Sequence, residues 1–173
     1  KLISDTYISE EERLHSKEKI SKTIQMAYKK APYFEKVFPL LDKLICSKER
    51  NIADYNTQIL RELCHYLEIK TEIIQGSEVL TESSLTGQER VIEICKTFKA
   101  DHYINPIGGL DLYESESFNN QGIRLSFLKT SDDIKYHQWG DVFFPNLSII
   151  DVLMFNSKEE ILPLLEDYRL VST

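Results

Sequence analysis

Apolar side chains recur at helical spacing through the first part of the chain, and this pattern predicts a series of helices. The first helix includes Ile20 and Ile24 and is expected to end at Ala31, because the residue before a proline avoids the α region. The second carries an apolar stripe over residues 34–45, and Pro39 is expected to kink or split it.

A third helix is predicted over residues 52–67, with Asn51 as its N-cap. Residues 1–12 are predicted to be a loosely ordered lead-in. The chain is therefore interpreted as one domain, with a helical subdomain over residues 1–70 and an α/β part over residues 71–173.

The pattern changes near residue 70, where β-rich runs at 71–75 and 101–105 flank a helical pattern over 87–99. This order fits one right-handed βαβ unit with a parallel pair of strands. A third strand is predicted at 123–128, so that residues 71–128 form a parallel three-stranded core. The predicted fold class is α/β, with the helical subdomain followed by a small parallel, Rossmann-like sheet flanked by helices.

Capping-box spacing marks further helix starts in the second half of the chain. The pairs with this spacing are Thr86 and Glu89, Ser148 and Asp151, and Ser157 and Glu160. Pro163 is expected to cut the last helix short, and residues 168–172 are predicted to form a terminal strand. The connection over residues 129–147 is long, which is typical of a functional or mobile loop.

The composition, 42% hydrophobic and 28% charged over 173 residues, fits one globular domain with a substantial core. The net charge of −7 argues against nucleic-acid binding, because neutralising phosphates requires clustered cations. Residues 13–50 nevertheless hold ten Lys or Arg against four Asp or Glu. Lysines such as Lys29 and Lys30 are expected to form a solvated helix face, and contact with an anionic ligand or partner is the alternative.

Targeting, metal and cofactor signals are absent from the sequence pattern. No apolar run approaches the length of about 20 residues that a membrane helix needs, and no leader precedes the first helix. We therefore expect a cytoplasmic protein without a membrane span. Cys46, Cys64 and Cys95 lack metal or redox spacing and are predicted to be reduced thiols. No metal site is predicted, and the cofactor is unknown.

Three stretches carry a family resemblance: KKAPYFEKVF at 29–38, DHYINPIGGLDLY at 101–113 and FPNLSIIDVLMFNS at 144–157. In this order they resemble blocks of the WbqC-like protein family. The resemblance implies a connection with bacterial O-antigen and related surface polysaccharides, but no particular reaction. It also implies an upstream strand and turn that this chain lacks. We therefore expect a fragment that binds its ligand poorly by itself.

The first candidate site is the turn after the predicted strand 101–105, because open parallel sheets bind ligands beyond the carboxyl ends of their strands. Paired glycines would let the backbone approach an oxygen-rich ligand, and Asp111 would hold a sugar or ribose hydroxyl. The predicted ligand-binding residues are Asn105, Gly108, Gly109 and Tyr113, with Asp111 as a candidate catalytic residue. The alternative is a glycine-rich turn with Asp111 at a helix start.

Further candidates lie in and beside the long connection. His137 is a candidate general base, because an imidazole changes protonation near neutral pH, and Lys129 would neutralise a phosphate. Asn146 and Ser148 would direct hydrogen-bond donors at a phosphate. The alternatives are ordinary surface residues for the first pair and an ordinary helix cap for the second.

The leading hypothesis is a transferase of surface-polysaccharide biosynthesis that acts on an activated or nucleotide-linked small molecule. A nucleotide or sugar-like ligand is expected, and nucleic acid is not. One alternative is a non-catalytic binding or assembly module of the same pathway, which would use the helical subdomain to contact a protein partner or itself. Another is a nucleotidyl-transferring, Rossmann-type enzyme outside glycan synthesis.

Overall fold

The structure, a computed structural model, describes residues 3–79 and 84–172. Its α-helices are α1 (Glu10–Tyr28), α2 (Phe34–Ile45), α3 (Ile52–Tyr66), α4 (Gly76–Val79), α5 (Gly87–Thr97), α6 (Ser115–Asn119), α7 (Ile149–Phe155) and α8 (Lys158–Glu166). Short 3-10 helices cover Ile3–Asp5 and Ile107–Leu112. Its strands are β1 (His102–Pro106), β2 (Arg124–Thr130) and β3 (Tyr168–Val171). The protein is thus a mostly helical α/β protein with a small sheet in its C-terminal half.

The chain divides into two compact units. One consists of Lys1–Ile73 with Ile134–Leu164, and the other consists of Ile74–Asp133 with Leu165–Thr173. The first unit therefore joins the N-terminal helices to residues that lie in the predicted α/β part of the sequence.

The first unit has a core built by helices that are distant in sequence. Val37 of α2 is fully buried in the same cluster as Leu153 and Met154 of α7 and Ile161 of α8. The backbone N–H of Tyr33 also donates to the carbonyl oxygen of Met154 at 3.1 Å. Helices α7 and α8 are therefore part of the helical core. Burying each such apolar side chain stabilises the fold by about 1.5–3 kcal/mol.

The predicted second helix continues through its proline. Helix α2 runs unbroken from Phe34 to Ile45 with Pro39 inside it. Helix α8 likewise continues through Pro163 to Glu166, so the expectation that this proline would cut the helix short is wrong. Proline removes one backbone hydrogen bond, but burial of the apolar stripe on α2 favours the continued helix.

Residues 3–12 are more ordered than the predicted lead-in, whose first two residues lie outside the described range. Ser9 caps α1 by accepting a hydrogen bond from the Glu12 N–H at 3.2 Å. The Ile8 N–H donates to the Arg50 carbonyl at 2.9 Å, and the Asn51 side chain donates to the Ser4 carbonyl at 2.6 Å. The last two contacts join segments far apart in the chain, which is why the local sequence pattern did not reveal them.

Local capping signals were mostly reliable. Asn51 accepts from the N–H groups of Ala53 and Asp54, as an N-cap should. Ser157 and Glu160 form both bonds of a capping box, at 3.2 and 2.7 Å. Thr86 precedes α5 as predicted, but its side chain makes no capping hydrogen bond.

The sheet of the second unit is mixed, with strand order β1-β2-β3. Strands β1 and β2 are parallel, with His102 opposite Arg124, whereas β2 and β3 are antiparallel, with Phe127 opposite Val171. The strands predicted at 101–105 and 123–128 correspond to β1 and β2, and they are parallel as expected. The terminal strand predicted at 168–172 corresponds to β3, and its antiparallel pairing with β2 makes the sheet mixed rather than all parallel.

The expected strand at 71–75 is wrong, because these residues form neither helix nor strand and Ile74 is 40% exposed. Helix α5 therefore does not link two parallel strands. The crossover between β1 and β2 runs instead through the 3-10 helix Ile107–Leu112 and α6. A two-residue apolar run does not specify a strand unless a neighbouring strand pairs with it.

The second unit has its own core on one face of the sheet. Leu125 and Phe127 of β2 are buried together with Ile123, which directly precedes the strand, with Phe118 of α6 and with Cys95 of α5.

Across the described ranges, every helix is too short or too polar to cross a bilayer.

Candidate functional site

A buried carboxylate of the first unit accepts hydrogen bonds from three side chains. Asp151 in the first turn of α7 is only 4% exposed. Its Oδ1 accepts from the Tyr28 hydroxyl at 3.0 Å, and its Oδ2 accepts from the Tyr136 hydroxyl at 2.8 Å and from Gln138 Nε2 at 2.9 Å. Three donors from two other segments therefore converge on one side chain.

The local sequence around Ser148 places this carboxylate. Ser148 is the N-cap of α7 and accepts from the Ile150 N–H at 3.3 Å, which fixes Asp151 three residues further on in the first helical turn. The serine of the predicted capping box therefore caps the helix as expected, whereas the Asp151 side chain accepts hydrogen bonds from Tyr28, Tyr136 and Gln138 instead. The aspartate side chain points into the core because two tyrosines and a glutamine supply donors there.

Both tyrosines of this network are held in their protonated form. Burial, and then the hydrogen bond to Asp151, raise the pKa of Tyr28 and of Tyr136 to about 12. A protonated phenol is a hydrogen-bond donor, so at neutral pH both hydroxyls donate to the carboxylate. The buried carboxylate thereby receives the hydrogen bonds that its desolvation requires.

Gln138 connects the carboxylate to the loop between β2 and α7. It is 6% exposed, its Oε1 accepts from the Phe144 N–H at 2.8 Å, and its Nε2 donates to the Phe144 carbonyl at 3.0 Å. The adjacent rings of His137 and Trp139 both pack edge-on against Phe155, at centroid distances of 6.3 and 5.1 Å. The loop therefore presents an imidazole and an indole over one buried phenyl ring.

A surface cavity of about 310 Å³ lies beside this network. Its lining residues are Met26, Ala27, Lys29, Lys30 and Trp139. Two ammonium groups and a half-exposed indole suit a ligand that combines negative charge with a flat ring. Lys29 is also the C-cap residue of α1, where a cation interacts favourably with the helix dipole, so a structural role is the competing interpretation.

The turn predicted as the binding centre is tightly packed in the second unit. Asn105 Nδ2 donates to the hydroxyl of Tyr103 at 2.6 Å and to that of Tyr113 at 3.4 Å. A Cβ on Gly109 would lie 2.5 Å from Asn105 Oδ1, whereas one on Gly108 would meet nothing within 4 Å. Gly109 therefore has a packing reason to be glycine, and the structure brings Asn105, Gly109 and Tyr113 together.

The remaining predicted site residues divide between the two units. Asp111 is exposed within the 3-10 helix Ile107–Leu112, after its start, and Lys129 Nζ on β2 pairs with Asp132 at 3.2 Å. The predicted residues that belong to the first unit are His137, Asn146 and Ser148. Asn146 has a positive φ of 59°, a conformation that asparagine tolerates better than most residues.

Sequence reasoning missed the residues that line the cavity and those that brace it. The pattern alone favours a solvated helix face for Lys29 and Lys30, because nothing local indicates that the indole of Trp139, more than 100 positions later, lies beside them. The available signal was Trp139, the one tryptophan of the chain, in a long loop directly after Tyr-His-Gln. Within residues 3–79 and 84–172, no group of three His, Cys, Asp or Glu side chains is arranged to hold a metal ion.

Fold and cavity together define a mostly helical α/β protein with a small mixed sheet and a cationic, tryptophan-lined cavity. The chain belongs to the WbqC-like protein family, which it matches over residues 1–162. It is 24% identical over 137 residues to Uncharacterized protein Rv1507c of Mycobacterium tuberculosis. That match covers 78% of this chain but only 58% of the mycobacterial protein. No solved structure matches the chain significantly.

Proposed function

We propose that this WbqC-like protein is a transferase of bacterial surface-polysaccharide biosynthesis, including that of O-antigen, and that it acts on a nucleotide-linked small molecule. The proposed pathway is the one that the resemblance to the WbqC-like family implies. The ligand class rests on one observation, the cavity that combines Lys29 and Lys30 with the Trp139 indole.

The chemistry of the cavity walls supports a nucleotide as the anionic part of the substrate. Lys29 and Lys30 supply ammonium groups for phosphate oxygens, and Trp139 offers a face on which a base can stack. Stacking of a base on an aromatic side chain contributes about 1–3 kcal/mol to binding. A volume of about 310 Å³ lies at the small end of ligand sites, so the cavity suits the nucleotide part rather than a whole large donor.

His137 is the proposed general base of the transfer. Its ring shares the Phe155 packing surface with Trp139, and its side chain is exposed. The acceptor hydroxyl would lose its proton to the imidazole while its oxygen forms the new bond to the transferred group. The bond from that group to the phosphate oxygen would break, and the phosphate would leave with the electron pair, its charge neutralised by Lys29 and Lys30.

Ligand-induced thermal stabilisation tests the ligand class. The probes are nucleoside diphosphates, nucleoside diphosphate sugars and inorganic pyrophosphate, because a ligand that binds only the folded state raises the melting temperature. We expect stabilisation by at least one nucleotide and its loss in Lys29→Gln/Lys30→Gln and in Trp139→Leu. Lys19→Gln is the matched control, since it removes an exposed charge from α1 outside the cavity lining. Equal stabilisation of all variants, or of none including the wild type, would contradict the proposal.

The predicted residues of the second unit are tested with the same probes. If Asp111 accepts from a ligand hydroxyl, Asp111→Asn should weaken binding roughly tenfold to a hundredfold and leave the melting temperature unchanged. If it has only a structural role, binding should stay the same. Loss of affinity in Asp111→Asn but not in the lysine variants would move the proposed site to the turn after β1.

Product analysis separates the transferase from its two alternatives. The transferase should release nucleoside diphosphate from a nucleotide sugar when an acceptor is present. A nucleotidyl-transferring enzyme should instead release pyrophosphate from a nucleoside triphosphate. Nucleotide binding without either product would favour the non-catalytic binding module.

A further inference from the structure

We propose that Asp151 is a positioning residue that joins the two walls of the cavity and holds Trp139 where it can contact a ligand. The inference rests on the proposed function for its ligand. Its structural part concerns the ligand-free protein and can be tested separately.

One carboxylate connects the two walls of the cavity. Asp151 Oδ1 accepts from Tyr28, the residue directly before Lys29 on the wall formed by the end of α1. Its Oδ2 accepts from Gln138, the residue directly before Trp139 on the loop wall. One carboxylate is thus hydrogen-bonded to the immediate neighbour of a lining residue on each side.

The loop that carries Trp139 is closed by hydrogen bonds of Gln138. Gln138 exchanges two hydrogen bonds with the backbone of Phe144, so the segment between them forms a closed turn. Trp139 begins that turn, and its indole packs edge-on against Phe155 at 5.1 Å while remaining 48% exposed. The bond from Gln138 to Asp151 therefore fixes the base of the turn that carries the indole.

The buried carboxylate contributes orientation more than stability. A buried carboxylate is costly to desolvate, and a well-packed apolar residue is often as stabilising as a buried polar group. Hydrogen bonds have directional requirements that apolar contacts lack, so three of them determine how the loop sits against α1. Asp151 is not among the residues that line the cavity, and it therefore acts through Tyr28 and Gln138 rather than on the ligand.

The fluorescence of Trp139 provides a direct readout, because the sequence contains no other tryptophan. Asp151→Asn preserves side-chain size but replaces one accepting oxygen with an NH₂ group that faces a donor. We expect the emission of the ligand-free variant to shift to longer wavelength and its quenching by acrylamide to increase. We also expect nucleoside diphosphate to bind roughly tenfold more weakly, as the loss of part of one stacking contact predicts.

Two further variants keep the test decisive. Asp42→Asn changes another carboxylate of the first unit, one that accepts from Ser21 and does not line the cavity, so its emission should match that of the wild type. If Asp151→Asn does not fold, Tyr28→Phe/Tyr136→Phe removes two donors while retaining both rings. That variant should show the same spectral shift with an unchanged circular dichroism spectrum.

The outcomes distinguish the two proposals. A spectral shift in the folded Asp151 or double-tyrosine variant, with no nucleotide binding by the wild type, would support the positioning role and reject the proposed ligand. Unchanged emission and quenching in these variants would overturn the positioning role, whatever the wild type binds.

Discussion

At the residue scale, Asn105 and Gly109 belong to a turn that resembles a ligand-binding motif in sequence, although packing alone accounts for both residues. The Asn105 amide is held between the hydroxyls of Tyr103 and Tyr113. The ring of Tyr103 in turn stacks on the fully buried Phe118 at 5.6 Å. The absence of a side chain on Gly109 leaves the space that the asparagine oxygen occupies.

Gly109→Ala should therefore destabilise the protein. Its Cβ would meet Asn105 Oδ1 at 2.5 Å, and moving that amide would break its bonds to the tyrosine hydroxyls. We expect a loss of about 1–3 kcal/mol in the free energy of unfolding, as for other overpacked sites. Gly108→Ala is the control and should be neutral or slightly stabilising, because its Cβ would enter open space. Denaturant unfolding of both variants measures the difference, and equal stabilities would contradict the packing explanation.

At the scale of elements, helix starts with the same sequence signature differ in the bonds they make. Ser157 and Glu160 form a reciprocal capping box at the start of α8. The hydrogen bonds of this box, first that of the Ser157 N–H, hold the pKa of Glu160 below its usual value. Thr86 stands at the same position before α5 without a side-chain capping bond.

Paired cap deletions test this difference. Ser157→Ala should cost about 0.5–2 kcal/mol of stability, the usual range for removing a working N-cap side chain. Thr86→Ala should cost clearly less, because no capping bond is lost. The two variants are compared by denaturant unfolding at one pH, and a larger loss for Thr86→Ala would be inconsistent with these caps.

The tyrosine network between α1, the loop and α7 predicts a dependence of stability on pH. The pKa values of Tyr28 and Tyr136 are raised from 10.0 to about 12 by burial and by their bonds to Asp151. Since the folded values exceed the unfolded ones, this stabilisation is fully present below pH 10 and is lost as the pH rises through about 12.

Tyr28→Phe/Tyr136→Phe should consequently flatten the alkaline loss of stability. Urea unfolding across that pH window measures the slope for the wild type and for the variant. Tyr7→Phe is the control, since Tyr7 is 61% exposed and lies outside the network. A double variant that loses stability as steeply as the wild type would show that these two hydroxyls do not supply the dependence.

At the scale of the whole molecule, the first unit is discontinuous in sequence. Residues 134–164 contribute Leu153, Met154 and Ile161 to the core that the N-terminal helices share. The helical subdomain predicted over residues 1–70 therefore lacks, by itself, a substantial part of the apolar surface that it packs against.

Truncating Leu153 measures how much the core of the first unit depends on residues 134–164. Leu153→Ala should lower the free energy of unfolding by about 2–5 kcal/mol, because Leu153 is fully buried. Leu162→Ala is the control and should have a much smaller effect, since Leu162 is 41% exposed. Thermal melts followed by circular dichroism report both values. Similar losses would argue against a shared core.

The helices and most of their starts were determined by the sequence itself. Helical spacing of apolar residues identified α2, α3 and α5. Asn51 signalled the start of α3 and Ser157 that of α8, because capping interactions span only a few neighbouring residues. The blocks that resemble the WbqC-like family were also sufficient to identify the family, whose match then covered residues 1–162.

The tertiary structure alone decided the direction and partners of the strands and the surroundings of Asp151. Strand pairing depends on hydrogen bonds between segments that are far apart in the sequence. Residues 71–75 therefore resembled a strand, but within the part of the chain that the structure describes they pair with none. Asp151 resembled half of a capping box until Tyr28, 123 positions earlier, was found to donate to it. The cavity beside Trp139 exists for the same reason, since its two walls meet only when distant segments bury a common core.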